Sequence, residues 1–492
     1  MKSKSKLVLL AFFVVILSFT GCRNTTENTK QNLNPEDSRL NIVFILADDM
    51  GWNGLGSYGN AHIPTPNIDR LAKNGISFTE AYTSVECTPT RAEFLSGQYG
   101  ARTGITQVHT TRVYPNAPLL TPNPVKKLPE NNYTVANMLK DAGYTTAISG
   151  KWHVGNATDS EKKEYYGFDF VGGAKEKPWD QVDKGKATVD QTDEIIRFIK
   201  NNKDRPFFAF LSYFNIHTPL QAPDSLVEKY ASMGYKRSTN RFGDVTEVPT
   251  AEYLAMTDLL DSQVGKLQDS LQSMGLDKNT VVIFTSDNGA LNRAWDNAPL
   301  RGAKGLLYEG GIRVPLIVSY PNLKSTKSEC SVPVHLVDMF PTFMDLAEGT
   351  TPDDKVLDGE SILPLISGNS GLKRENIYWH HPHYIHDYGK TPSSAIRKGD
   401  YKLIYYYGDY LDTDGFSPVQ DKPYGKLILG ERVELFDIKA DAGELDDLSI
   451  VKPQLADSLL SELKNWLNSV NAKLPTKNEN PDLDNWFKYK AR

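Results

Sequence analysis

The chain has 492 residues and a formal net charge of −6, with acidic and basic residues interspersed along its length. This length suffices for one large domain and a smaller one. The charge balance argues against a nucleic-acid-binding protein, which normally presents a basic face, so we expect an enzyme without a nucleic-acid partner.

The N-terminus has the pattern of an export signal. MKSKSK is a basic region, and LVLLAFFVVILSF is an apolar segment too short to span a bilayer comfortably. SFTG before Cys22 is similar to a bacterial lipoprotein cleavage box, with Phe19 where leucine is usual. We predict a signal peptide at 1–21, lipidation of Cys22 and a flexible tether at 22–39. The expected location is the outer membrane, facing the periplasm or the cell surface; ordinary secretion with Cys22 removed is the alternative.

From residue 40, apolar runs alternate with helical patterns such as TVANMLKDAG and AEYLAMTDLLDSQVGKLQDSLQSMG. This alternation predicts an α/β fold with a large, mostly parallel sheet flanked by helices. Four apolar runs end in polar residues, namely Asp48 and Asp49, Lys151 and His153, His217, and Asp287 and Asn288. Ligands bind along the carboxyl edge of such sheets, and the sequence therefore predicts a site there.

Beyond about residue 372 the pattern changes. SSAIRKGDYKLIYYYGDY and KLILGERVELFDI predict antiparallel strands, and QLADSLLSELKNWLNSV predicts a helix. We therefore predict a catalytic domain over 40–371 and a smaller C-terminal α+β subdomain with an antiparallel sheet over 372–492.

Acidic strand ends offer hard oxygen ligands. Asp48-Asp49 and Asp287-Asn288 suit Ca²⁺ or Mg²⁺ better than zinc. For one such pair alone, a solvated turn or helix cap is the alternative. Two pairs together favour a metal site.

Cys87 lies in VECTPTRAEFLSG, which has the pattern of a helix start. Pro89 suits a first-turn position and Thr88 a cap. Helix N–H groups at such a place stabilise anions and lower the pKa of a thiol. A reactive nucleophile and a buried structural cysteine are the two interpretations, whereas Cys330, in a polar loop, is predicted to be incidental.

The stretch Cys87-Thr88-Pro89-Thr90-Arg91, a C-x-P-x-R pattern followed by AEFLSGQYGARTG, resembles the signature of the type I, formylglycine-dependent sulfatases. Further motifs of that family follow in the expected order, among them NIVFILADDMGWNGLGSYGN, GYTTAISGKWHVG, IHTPLQAP, FTSDNGA, LRGAKGLLYEGGIRVP and ELFDIKADAGELDDLS. The resemblance covers nearly the whole mature chain. It implies an alkaline-phosphatase-superfamily fold and an activity similar to that of bacterial polysaccharide sulfatases.

The resemblance also implies roles for single residues. A maturation enzyme would oxidise Cys87 to formylglycine, whose hydrate attacks sulfur with one hydroxyl and expels sulfate when the other loses its proton. One Ca²⁺ would be held by Asp48, Asp49, Asp287, Asn288 and the modified Cys87. The other implied roles are orientation of the formylglycine by Arg91, sulfate binding by Lys151 and Lys304, a base in His153 and a general acid in His217.

The expected substrates are sulfated polysaccharides or their oligosaccharides. YWHHPHYIHDYGKTPSSAIR contains four of the nine histidines, and we predict saccharide contacts from His381 and His383, with His109 and Arg293 as weaker candidates. A structural role for this loop is the alternative. Two other functions stay open, a phosphonate or phosphate monoester hydrolase of the same superfamily and a non-catalytic, lipid-anchored glycan-binding protein.

Overall fold

The computed structural model describes residues 39–108, 114–173, 185–240, 243, 247–321, 328–368, 371–385, 389–412 and 426–483. The predicted signal peptide, Cys22, His109 and all of the predicted tether except its last residue lie outside these ranges. Within them, no helix is both long enough and apolar enough to cross a membrane.

The described strands are, in chain order, β1 Asn41–Ala47, β2 Ile76–Tyr82, β3 Leu119–Leu120, β4 Thr145–Gly150, β5 Phe170–Gly172, β6 Phe207–Ser212, β7 Thr280–Ser286, β8 Arg313–Ser319, β9 Glu329–Cys330, β10 Val334–His335, β11 Asn376–His381, β12 Ser393–Lys398, β13 Tyr401–Tyr406, β14 Asp409–Asp412, β15 Lys426–Leu429, β16 Arg432–Asp437 and β17 Thr476–Lys477. The described helices are α1 Pro66–Lys73, α2 Cys87–Ser96, α3 Gly100–Thr103, α4 Val135–Asp141, α5 Asp159–Glu164, α6 Thr188–Asn202, α7 Asp224–Ser232, α8 Ala251–Ser273, α9 Glu309–Ile312, α10 Met339–Ala347, α11 Leu363–Ile366 and α12 Pro453–Ser469.

Nine strands form the main sheet, in the order β10-β2-β8-β7-β1-β6-β4-β5, with β9 paired to β2 outside this path. The strands β7, β1, β6, β4 and β5 run parallel to one another. Only β8 runs antiparallel to its neighbours within this sheet of described strands. The predicted large, mostly parallel sheet is confirmed, and the four polar-ended apolar runs are its strands β1, β4, β6 and β7.

Helices cover both faces of the main sheet. Alternate residues of β1 enter two separate apolar cores: Val43 and Ile45 pack in the core that contains α6 and α8, and Ile42 and Phe44 pack in the core that contains α2, α4 and α10. A strand covered on both faces needs apolar side chains at every position, which explains the uninterrupted apolar run of β1.

The C-terminal sheet is antiparallel, in the order β11-β12-β13-β16, as the sequence predicted. One face packs on α12, with Ile396 and Leu403 against Leu463. The other face packs against Leu307 and its neighbours, with Ile404 in the same core. The C-terminal sheet therefore lies directly against the loop that follows β7 in the catalytic region.

Candidate active site

Two acidic strand ends meet because β1 and β7 are parallel neighbours in register. Ala47 pairs with Ser286, so Asp48 and Asp287 leave the sheet side by side. The amide of Asp49 donates to Asp287 Oδ1 at 3.1 Å. Asp48, Asp49, Asp287 and Asn288 are each at most 3% exposed. The neighbouring strands thus bring together the oxygen groups that the sequence placed on separate segments.

Cys87 faces these carboxylates as the first residue of α2. Its Sγ lies 3.4 Å from Asp48 Oδ1 and 3.9 Å from Asp49 Oδ1. The predicted cap at Thr88 is wrong. The residue before the helix is Glu86, in extended conformation, and it makes no side-chain cap bond. Thr88 is already helical, and its hydroxyl instead contacts His153 Nδ1 at 3.2 Å.

Each of the three carboxylates of the site has a cationic side chain within 2.8 Å. Lys151 Nζ donates to Asp48 Oδ2 at 2.6 Å, and Lys304 Nζ donates to Asp49 Oδ1 at 2.6 Å. Arg91 donates from Nε and from its terminal nitrogen to Asp287 Oδ2, at 3.1 and 2.8 Å. Lys304 Nζ also lies 3.3 Å from Cys87 Sγ. Buried charges persist when they are paired in this way.

Arg91 joins two strand ends. Its guanidinium donates to the carbonyl oxygen of Lys151 at 3.1 Å and contacts Ser212 Oγ. The hydroxyl of Ser212 donates to the same carbonyl oxygen at 2.7 Å. The turn after β4 is thereby fixed beside Asp287.

The charges shift pKa values in different directions. Burial alone would raise the pKa of Asp48, but Lys151 and the other nearby cations hold it well below its usual range. Burial and the charge of Asp48 raise the pKa of Asp287 to about 6. Burial and the charge of Asp287 raise the pKa of Cys87 well above its usual value. The expectation of a lowered thiol pKa is therefore wrong, because burial and the neighbouring carboxylates raise it.

Two histidines, His153 and His217, lie next to the charged residues of the site. His217 Nε2 lies 3.7 Å from Asp49 Oδ2, its Nδ1 contacts the carbonyl oxygen of Thr218, and its side chain is 21% exposed. Desolvation and the charge of Lys304 lower the pKa of His217 to about 3. His153, in a left-handed backbone conformation with φ 57°, follows β4. Both imidazoles therefore lie at the rim of the site, where they can meet a ligand.

The donor set fits a hard divalent cation. Ligand atoms of Asp48, Asp49, Cys87 and His217 all lie within 4.8 Å of one another. Two buried oxygens, Asp49 Oδ2 and Asn288 Oδ1, accept no hydrogen bond from the described residues. Carboxylate and amide oxygens are the ligands that Ca²⁺ prefers, and buried oxygens without donors call for a bound cation or water.

Lys186 is a residue of the site that the sequence did not reveal. It is 1% exposed, and its ammonium contacts the carbonyl oxygen of His217. Burial, and the charges of Lys151 and Lys304, lower the pKa of Lys186 to about 7 against the pull of the carboxylates. The segment before α6 carries no motif, so no local signal could have pointed to this lysine.

The predicted saccharide-binding histidines are buried. His381 is 2% exposed, and its Nε2 lies 3.3 Å from Oε2 of Glu86, the residue before Cys87. His383 is 1% exposed and contacts Thr106 Oγ1 at 2.8 Å. Arg293 is half-buried on the turn after β7. The structure thus shows His381 supporting the start of α2, and saccharide contact by these three residues stays a prediction.

Comparison with known proteins places this arrangement in context. The chain matches the family model described as Sulfatase over residues 40–350, and the one described as N-sulphoglucosamine sulphohydrolase, C-terminal, over residues 303–423. A protein of Formosa agariphila named Sulfatase is 30% identical, in an alignment covering 96% of this chain and 95% of that relative. N-acetylgalactosamine-6-sulfatase of Mus musculus is 31% identical over 69% of this chain and 68% of its own length.

Solved structures show the same similarity. The structure described as Ps i-CgsB in complex with k-i-k-neocarrahexaose superposes with a TM-score of 0.69 and 28% identity, over 90% of this chain and 94% of that chain.

Proposed function

Because the chain belongs to the sulfatase family and is a sulfuric ester hydrolase, we propose that it removes sulfate from sulfated polysaccharides or their oligosaccharides, with a formylglycine made from Cys87 and one Ca²⁺. The observation that carries the proposal is the arrangement of charges around Cys87. Asp48, Asp49 and Lys304 contact its sulfur, and the carboxylates of Asp48, Asp49 and Asp287 are paired with Lys151, Lys304 and Arg91 in turn. A phosphonate or phosphate monoester substrate is not favoured by the family match.

The substrate class rests on relatives named for saccharides. The mouse relative is named for a sulfate on N-acetylgalactosamine, and the structure of Ps i-CgsB is described in complex with a neocarrahexaose. Their identities to this chain, 31% and 28%, are similar, and the carbohydrates in their names differ. They therefore support a sulfated carbohydrate without choosing a polymer.

The charge balance of the site suits an anionic ester. The carboxylates of Asp48, Asp49 and Asp287 are matched by Arg91, Lys151 and Lys304. A divalent cation held by Asp48, Asp49, Asp287, Asn288 and residue 87 would add two positive charges, polarise the sulfate and favour ionisation of the attacking hydroxyl. The occupied site would then carry a net positive charge and attract the sulfate group.

We assign the attack on the sulfur of the ester to residue 87. Its side chain lies 3.3 Å from Lys304 Nζ, at the first turn of α2. A formylglycine hydrate there would supply one hydroxyl to attack sulfur and a second to expel the sulfate later. Lys304 and Lys151 hold the anionic oxygens, and Arg91 fixes the position of α2 through Asp287.

We assign proton transfer to His217 and His153 at the rim of the site. His217 Nδ1 contacts the Thr218 carbonyl oxygen and can only donate to it, so Nε2 is the atom that gives a proton to the leaving alcohol. The negative charge of a bound sulfate ester raises the pKa of His217 from its low value and favours the protonated form. We assign to His153, whose Nδ1 contacts Thr88 Oγ1, the uptake of the proton from the second hydroxyl of residue 87.

The test combines mass spectrometry of residue 87 with sulfate release from defined oligosaccharides, measured by ion chromatography. We expect an aldehyde mass at residue 87 after co-expression with a maturation enzyme, and release from at least one sulfated glycan. Cys87→Ala should abolish release, whereas Cys330→Ala, at the half-buried third cysteine of the chain, should retain it. An oxidised residue 87 without release from any sulfated glycan, combined with turnover of phenylphosphonate, would contradict the proposal.

We also propose that the mature protein begins at a lipidated Cys22 and is anchored to the outer membrane. The support is the charge and hydropathy pattern of the first 22 residues. Labelling of cells with an alkyne fatty acid should mark the wild-type protein and leave Cys22→Ala unlabelled. Equal labelling of the two proteins would exclude the anchor.

A further inference from the structure

Three motifs of the sequence contribute charged residues that take no part in the chemistry above and that meet at one buried point. They contribute Lys402 from GDYKLI, Glu309 from LLYEGGIRVP and Glu444 from DAGELDDLS. Lys402 Nζ lies 2.8 Å from Glu309 Oε1 and 2.7 Å from Glu444 Oε1, and all three side chains are 0% exposed. We call these three residues the buried charge cluster. An ammonium shared by two carboxylates out of water is costly unless all its partners are held in place.

The cluster lies beside the segment that carries Lys304. We call residues 301–312 the Lys304 loop. On its active-site side, Lys304 donates its amide to the Ala290 carbonyl oxygen at 3.1 Å and its ammonium to Asp49. The amide of Gly305 donates to the Val85 carbonyl oxygen at 2.9 Å, two residues before Cys87. This side of the loop thus contacts the catalytic groups directly.

The opposite side of the loop is fastened to the C-terminal sheet. Lys402 Nζ donates to the Leu307 carbonyl oxygen at 3.0 Å. Glu444 Oε2 accepts from the amide of Glu309 at 2.7 Å, and the Glu444 carbonyl oxygen accepts from the guanidinium of Arg301 at 2.9 Å. The loop is therefore anchored near both ends and in its middle by two residues outside the catalytic region.

Close packing makes the loop transmit displacements. A Cβ added at Gly289 would meet the Gly310 carbonyl oxygen at 1.9 Å, and one at Gly311 would meet the Leu306 carbonyl oxygen at 2.2 Å. Backbone in such contact cannot shift at one point without shifting at the next. A movement at Leu307 therefore reaches Lys304, three residues earlier.

Electrostatics makes Lys402 the centre of the cluster. Burial would raise the pKa of Glu309, but Lys402 and two nearby arginines hold it at about 2. Burial and Glu309 raise the pKa of Glu444 to about 7 although Lys402 opposes the rise. Without the ammonium, two buried carboxylates would repel each other across the loop.

We propose that Lys402 and Glu444 are positioning residues of the reaction, which fasten the Lys304 loop to the C-terminal sheet and so keep the Lys304 ammonium beside residue 87. The inference rests on the proposed role of Lys304 in holding sulfate. It gives the C-terminal subdomain a part in catalysis that does not require contact with the substrate.

The test is a double-mutant cycle between Lys402→Met and Lys304→Ala. In the wild-type background, Lys402→Met should lower kcat/KM by about 10- to 100-fold, because small displacements of a catalytic group have effects of this size. In the Lys304→Ala background, the same substitution should change kcat/KM by less than about twofold, since the group it positions is gone. Lys402→Arg should restore most of the activity, and equal formylglycine content at residue 87 is verified by mass spectrometry.

A matched control separates positioning from loss of stability. Arg374 pairs with Asp338, which is 0% exposed, and its side chain makes none of the contacts to the Lys304 loop described above. Arg374→Met should lower the Tm as Lys402→Met does and leave kcat/KM unchanged well below that Tm. Hydrogen exchange is the second readout: amides of residues 301–312 should exchange faster in Lys402→Met and not in Arg374→Met.

Three results would overturn the inference. Lys402→Met could lower kcat/KM equally in both backgrounds, Arg374→Met could lower it as much as Lys402→Met does, or Lys402→Met could leave hydrogen exchange in residues 301–312 unchanged. Should Lys402→Met fail to fold, Glu444→Gln, which keeps the size of the side chain, takes its place in the cycle. Failure of the wild-type protein to release sulfate would instead count against the proposed function. The hydrogen-exchange measurement would still test whether Lys402 fastens the Lys304 loop to the C-terminal sheet.

Discussion

Replacing Arg91 by methionine tests the charge pairing on which the site depends. Arg91 is 1% exposed, and its partner Asp287 is 0% exposed. Removing one member of a buried ion pair destabilises proteins by about 3–5 kcal/mol in general, because the other charge stays buried. In this site we expect a loss of about 2–4 kcal/mol in the free energy of unfolding, somewhat less than the general value.

The magnitude follows from three contributions. Asp287 can lose its charge by taking up a proton. Its pKa is already about 6 beside Arg91 and rises further without it, so protonation at pH 7 costs less than about 1.4 kcal/mol. The lost hydrogen bond to the Lys151 carbonyl oxygen adds only about 1–2 kcal/mol, because Ser212 still donates to that oxygen. The space left by the shorter side chain adds to both.

The loss of stability in Arg91→Met should depend on pH in a characteristic direction. A carboxyl group whose pKa is raised by folding stabilises the protein less as the pH rises above its unfolded pKa. Without Arg91, the pKa of Asp287 rises further, so the folded protein binds a proton that the unfolded chain releases. The deficit of Arg91→Met should therefore shrink between pH 7 and pH 5.

Urea unfolding in calcium-free buffer at both pH values measures these effects. Arg91→Met/Asp287→Asn should recover most of the stability at pH 7, because no unpaired charge remains. Arg102→Met, which breaks a pair whose arginine is 28% exposed, should lose only about 1 kcal/mol. A loss below about 1 kcal/mol in Arg91→Met, or a deficit that grows toward pH 5, would refute the reasoning.

Three further predictions address packing, buried charge and the metal. Gly289→Ala should lower kcat/KM more than about tenfold, because its Cβ would meet the Gly310 carbonyl oxygen at 1.9 Å, whereas Gly443→Ala, with its nearest atom at 3.2 Å, should be near neutral. Burial raises the pKa of Glu93 to about 8, so the folded protein loses stability as the pH rises from about 4.5 to 8. Glu93→Gln should therefore raise the Tm more at pH 8 than at pH 5, and an equal gain at both would exclude this cause. Chelation with EGTA should abolish sulfate release and lower the Tm, and Ca²⁺ should restore both; full activity after exhaustive chelation would rule out the metal.

The strands that position the site were predictable from the sequence. The apolar runs of β1 and β7 and the polar residues after them are local features, and side chains covered on both faces of a sheet leave this pattern in the chain. The long helix α8 was equally clear from its periodicity. The C-x-P-x-R pattern, with Cys87 at a helix start, was also visible.

What only the tertiary structure decided is how distant charges act on one another. Burial and the charge of Asp287, 200 residues away in the sequence, raise the pKa of Cys87, which the local helix start did not predict. Lys186 joins the site from a segment without a motif. His381 supports the start of α2 through Glu86. Burial and Coulomb interactions depend on distance in space, and a sequence specifies that distance only once the chain has folded.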